Sequence, residues 1–106
     1  MPLLNETTQL GDLLLNRSTR TLTRRSRVIQ LTGREFQLLD LLMQNNHQVL
    51  TREILLDRIW GLETEVTPNT LDAYVRLLRK KIEQPGEPEL IENVRGVGYR
   101  LAVRHV

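Results

Sequence analysis

Residues 69–83 read NTLDAYVRLLRKKIE, and the two sides of this segment differ enough to set the architecture around it. Leu71, Val75, Leu78 and Ile82 fall at i, i+4, i+7 and i+11, the spacing that lines apolar side chains along one side of a helix. At about 100° per residue, Asn69, Ala73, Arg76 and Lys80 project to the opposite side, flanked by Asp72 and Leu77. Thr67-Pro68 supplies a hydroxyl cap and the proline favoured at the first helical position, so this helix is expected to start at Pro68. Gln84-Pro85-Gly86 stops it. One side suits a core; the other is polar and basic and suits a partner.

Two further helices are expected upstream. Thr32-Gly33-Arg34-Glu35 places a hydroxyl three residues ahead of a glutamate, the capping-box arrangement in which each side chain satisfies the other's free backbone N–H. Phe36, Leu38, Leu39, Leu42 and Met43 then recur at three- and four-residue spacing, and Asn45-Asn46 ends the run. Thr51 is a second cap, followed by Leu55 with Ile59 and Leu56 with Trp60, each pair on a common helical side. Residues 61–66 show no period and read as a loop. Ahead of the helices, alternating Leu10, Leu13 and Leu15, then 19–23 and 28–31, predict a small antiparallel meander after a linker-like segment at 1–8. Behind them, 90–94 and 99–103 are strand-like and are joined by Arg95-Gly96-Val97-Gly98, where glycine can take positive φ. The expected class is α+β: an antiparallel sheet, three helices and a C-terminal hairpin, in one domain over 9–106.

Composition excludes several functions. The chain has 106 residues, 40% apolar and 26% charged, enough for one small core. Cysteine is absent, removing disulfides, thiolate metal sites and cysteine nucleophiles and favouring a cytoplasmic setting. Apolar runs are far shorter than the roughly 20 residues a bilayer crossing needs, so no membrane partner is expected. His47 and His105 lack metal-ligand spacing, and Glu53 with Asp57, four apart on a short exposed helix, suits solvent better than an ion. Catalytic residues, metals and cofactors are expected to be none.

Net charge is only +2, but its distribution is uneven. Basic residues gather at Arg17, Arg20, Arg24, Arg25 and Arg27, at Arg76, Arg79, Lys80 and Lys81, and at Arg95, Arg100 and Arg104. A solvated face explains the first group as well as nucleic acid does. A helix fits the major groove of B-DNA, where Arg can donate twice to guanine and Asn can pair with adenine, making Arg76 and Asn69 candidate base readers. Arg79, Lys80 and Lys81 also have a plainer role, offsetting the negative end of the helix dipole. Arg95 at the hairpin turn can enter a minor groove beside the helix. Gly96 and Gly98 are equally readable as ordinary turn residues. A protein-docking helix would expose an apolar face, and here Leu77 alone is apolar. Single-stranded nucleic acid calls for stacking aromatics, and these are only 4% of the chain. Duplex DNA remains the best match.

Four segments together resemble the winged-helix effector domains of OmpR/PhoB-type two-component response regulators: LTGREFQLLDLL (31–42), VLTREILLDRIWG (49–61), NTLDAYVRLLRKKIE (69–83) and IENVRGVGYRL (91–101). The resemblance covers nearly the whole chain. It implies a four-stranded N-terminal sheet, a winged helix-turn-helix whose third helix is the recognition helix, and a hairpin whose turn is the wing. It implies that Asn69, Thr70, Asp72, Ala73, Arg76, Leu77 and Lys80 face the groove, with Tyr74 and Arg79 near phosphates and Arg95 in the minor groove. Thr51, Arg52 and Trp60 fall where relatives make backbone contacts at helix ends, although Trp60 also suits a core. The loop 61–68, with Glu63 and Glu65, lies where relatives touch RNA polymerase; simple solvation accounts for these two acids equally well.

Asn69 and Leu77 stand where some relatives carry arginine, and Asn93 replaces the usual threonine, so base preference is not transferable. Leu77 offers a thymine methyl apolar contact but no hydrogen bond. The resemblance further implies a monomer when isolated, a homodimer on tandem half-sites of double-stranded DNA, and control by a sensor histidine kinase through a receiver domain. The chain has no room for that receiver's phosphoacceptor aspartate. The domain is then either an excised effector or a stand-alone one, and residues 1–8, which read as a linker remnant, favour excision.

Overall fold

Leu13 and Leu15 on one short strand and Leu22 on the next turn the same way and give the first third of the chain a sheet with one apolar side. The computed structural model describes residues 6–61 and 65–103. Its first four strands, β1 (Thr7–Leu10), β2 (Leu13–Asn16), β3 (Thr21–Arg24) and β4 (Arg27–Gln30), form an antiparallel sheet in sequence order. Thr7 and Thr8 therefore belong to a strand, not to the segment ahead of it. Leu15 pairs with Leu22, and Leu22 with Ile29, so one cross-strand row faces inward. Leu13, Leu15 and Leu22 are fully buried.

Helix α1 (Gly33–Gln44) begins at the expected capping box: Thr32 Oγ1 accepts from the Glu35 amide, and Glu35 Oε1 accepts from the Thr32 amide at 2.9 Å. Leu38, Leu39, Leu42 and Met43 carry its buried stripe. Glu35 is itself only 2% exposed and also takes Lys81 Nζ at 2.6 Å. Burial alone would raise its carboxyl; the Lys81 hydrogen bond, the Thr32 amide and the Lys81 charge outweigh burial and hold it below the ordinary value. Lys81 is thus an ion-pair partner of α1.

A short strand, β5 (Leu50–Thr51), precedes α2 (Arg52–Trp60), and Thr51 Oγ1 caps α2 by accepting from the Ile54 amide at 3.1 Å. Helix α3 (Pro68–Ile82) follows, with Leu71, Val75, Leu78 and Ile82 all buried. Strands β6 (Ile91–Val94) and β7 (Gly98–Leu101) make the hairpin, and β5 joins them in the order β5-β7-β6. Gly96 is a turn glycine, at φ +76°. Gly98 has a different reason to lack a side chain: a Cβ there would lie 2.0 Å from the Leu50 carbonyl oxygen, so the close approach of β5 requires glycine.

Two members of the first basic group, Arg24 and Arg27, are turned into the protein, while Arg20 and Arg25 stay exposed. Arg24, 1% exposed, donates to the Ile82 carbonyl at 2.6 Å, to Glu87 at 3.1 Å and to Pro88 O and Asp12 at 3.3 Å. Arg27 reaches Glu87 at 2.7 Å and the carbonyls of Lys81 and Ile82. These arginines satisfy the last carbonyls of α3, which have no partner inside the helix. Glu87 accepts from the Gln84 amide and faces both guanidiniums, and it is held below the ordinary glutamate value despite partial desolvation. Arg17 pairs with Asp40 at 2.7 Å, and Arg25 reaches Asp12 at 3.2 Å.

Candidate nucleic-acid interface

With its leucine stripe against the core, α3 turns its other side outward. Asn69, Ala73, Arg76, Leu77 and Lys80 are exposed, Leu77 by 50%, and Thr70 is half-buried. Arg76 and Lys80 make no side-chain hydrogen bond or ion pair with the described residues. Arg95 is likewise exposed and unpaired at the hairpin turn. Cations without protein partners, presented by a helix and by a neighbouring hairpin, are what a polyanion can use at no cost in broken salt bridges.

Other residues expected to face nucleic acid are engaged in the protein itself. Asp72 does not point freely into a groove: its Oδ1 accepts from Arg52 Nε at 3.1 Å and from the Tyr99 hydroxyl at 2.5 Å. Arg52 in turn lies over the Tyr99 ring, 5.2 Å from its centroid, and donates its backbone N–H to Val97 O. Arg79 is half-buried and turned toward the hairpin, where its guanidinium donates to the Ile91 carbonyl. Trp60 is 8% exposed and takes the core alternative, edge-on to Tyr74 at 5.4 Å with Arg34 stacked over it. Tyr74 is half-buried by that packing. Thr51 has its hydroxyl committed to the α2 cap. Glu65 is exposed on the loop before α3, and Glu63 lies outside the described residues.

Periodicity gave no sign of the Arg52, Asp72 and Tyr99 cluster. These residues come from three elements separated by 20 and 27 positions, and no local spacing marks such a meeting. Burial raises the Tyr99 hydroxyl above its ordinary value, and the Asp72 carboxylate adds to that.

Comparison with known proteins adds the following. Residues 24–101 match the family model described as "Transcriptional regulatory protein, C terminal". The response regulator MprA of Mycobacterium sp. (strain KMS) is 49% identical over 90 residues, covering 85% of this chain and 39% of that protein. The chain thus spans about two-fifths of the curated relatives it matches. Among solved structures, the response regulator DrrB of Thermotoga maritima, an OmpR/PhoB homolog, superposes with a TM-score of 0.79 at 34% identity, over 92% of this chain and 44% of that one. The DNA-binding domain of Klebsiella pneumoniae RstA, in complex with the RstA box, gives 0.79 at 26% identity, over 92% and 98%.

Proposed function

The chain belongs to the family of C-terminal domains of transcriptional regulatory proteins, the OmpR/PhoB-type winged-helix DNA-binding domains of response regulators, and from that premise we propose how it meets its DNA. The family is a DNA-binding effector and not an enzyme. Helix α3 enters the major groove and the β6–β7 turn, as the wing, enters the adjacent minor groove. Arg76 donates to a guanine edge, Asn69 pairs with an adenine, Leu77 packs on a thymine methyl, and Lys80 and Thr70 approach phosphates. Ala73 leaves room for the helix to approach the base edges. Arg95 enters the minor groove, where narrow A·T-rich segments concentrate negative potential.

The observation that carries this reading is that Arg76 and Lys80 on α3 and Arg95 on the hairpin are exposed and make no side-chain bond among the described residues. A solved relative bound to its own DNA box supports it. In the intact regulator, two copies occupy tandem half-sites, and dimerisation through a receiver phosphorylated from a sensor kinase raises the effective concentration of the second copy. The isolated domain is a monomer that binds weakly, and the stretch between α2 and α3, with Glu65, is the surface offered to RNA polymerase. The decisive experiment is selection of duplexes from a random pool by the wild type and by Arg76→Ala. Enrichment of a short motif that loses information at one base pair in the variant supports the reading. Absence of enrichment and of salt-dependent binding would replace DNA with a protein partner.

A further inference from the structure

We propose that Asp72 is a positioning residue that locks the wing at a fixed orientation against the recognition helix, so that Arg76 and Arg95 can engage one duplex at once; this rests on the DNA reading above. Asp72 sits in the first half of α3, on the helix that carries Arg76. Both of its donors lead to the hairpin. The Tyr99 hydroxyl, 2.5 Å away, belongs to β7, and Tyr99 is only 4% exposed, so its ring is gripped by the core. Arg52, 3.1 Å away, is the first residue of α2, and its backbone N–H donates to Val97 O in the wing turn at 3.3 Å. Its guanidinium also covers the Tyr99 ring. A single carboxylate oxygen therefore ties α3, the start of α2 and both the root and the turn of the wing.

The other ties grip the hairpin mainly at its base, where Arg79 of α3 donates to the Ile91 carbonyl and Gly98 packs on Leu50. A two-stranded hairpin is marginal by itself, and β5 extends the sheet by only two residues at the wing's base. Residues 95–97 are exposed. An aspartate on a helix that approaches phosphates is also unfavourable unless its charge is met inside the protein. Arg52 meets it here, which explains how a carboxylate is tolerated at this face.

The test uses a duplex enriched from a random pool by the wild-type protein, and a double-mutant cycle. Arg95→Ala is expected to weaken wild-type binding about tenfold, the scale of one specific contact. In the Asp72→Ala background, which removes the accepting oxygen, the same substitution should cost less than about twofold, while the Arg76→Ala penalty persists in both backgrounds. An unchanged Arg95→Ala penalty overturns the role, and so does parallel loss of both penalties, which a general loosening of the domain would produce. Tyr99→Phe, which keeps the buried ring and removes one donor, should lower the Arg95→Ala penalty part of the way, and no change there also counts against the proposal. Without DNA, NMR order parameters of the backbone amides of 95–97 should fall in Asp72→Ala while those of α3 hold; equal values in variant and wild type overturn the proposal. If the wild type enriches no duplex, the DNA reading fails, and the amide measurement alone decides whether Asp72 holds the wing.

Discussion

Arg76 and Arg24 are the same side chain in opposite surroundings. Arg76 is exposed with no partner among the described residues, whereas Arg24 is buried among Asp12, Glu87 and two backbone carbonyls. Arg76→Ala should therefore leave urea unfolding within about 0.5 kcal/mol of wild type. Its cost should fall on binding, about 1–3 kcal/mol, with relaxed preference at one base pair. Arg24→Ala should do the reverse and destabilise the fold by about 3–5 kcal/mol, because it strips a buried ionic cluster of its central cation. Chemical denaturation checks both. Gly98→Ala belongs to the same scale: the Leu50 carbonyl occupies the space a methyl would need, so a loss of about 1–3 kcal/mol or more is expected in the same measurement.

At the scale of elements, stability should carry a pH signature. Glu35 and Glu87 are both held below the ordinary glutamate value in the fold. Groups depressed in this way contribute stability that is present above the unfolded value, near 4.5, and is lost as pH falls through the folded one. Thermal unfolding midpoints should hold from neutral pH down to about 5 and fall below that, and Glu35→Gln should start lower and fall less steeply. What could be seen in advance follows the same division between local and distant. The caps at Thr32 and Thr51, and the leucine stripe of α3, are patterns within a few residues, so the sequence displays them directly. Strand β5 is two residues long and exists only because Leu50 and Thr51 meet Tyr99 and Gly98, some fifty positions away. The commitments of Arg24 to Ile82, of Asp72 to Tyr99 and of Arg79 to Ile91 join residues far apart or on different elements, and charge clustering along the chain marks none of these partners. The exposed face of α3 was legible because helical periodicity sorts it; the members of that face withdrawn into bonds were not.

For the whole molecule, charge acts through the duplex it meets. Phosphate neutralisation releases counterions, so affinity for the enriched duplex should fall steeply with salt, and Lys80→Ala should reduce the slope of log K against log salt by about one while leaving the preferred motif intact. The chain has no cysteine, so single cysteines at 76 and 95 can carry a cleaving iron chelate without a competing thiol. The central claim is that helix and wing occupy adjacent grooves of one duplex, and mapping strand cleavage from those two positions tests it most directly. Cleavage from 76 should centre on one major groove within the enriched motif, and cleavage from 95 on the neighbouring minor groove. The same groove from both positions, or diffuse cleavage from either, would contradict the account.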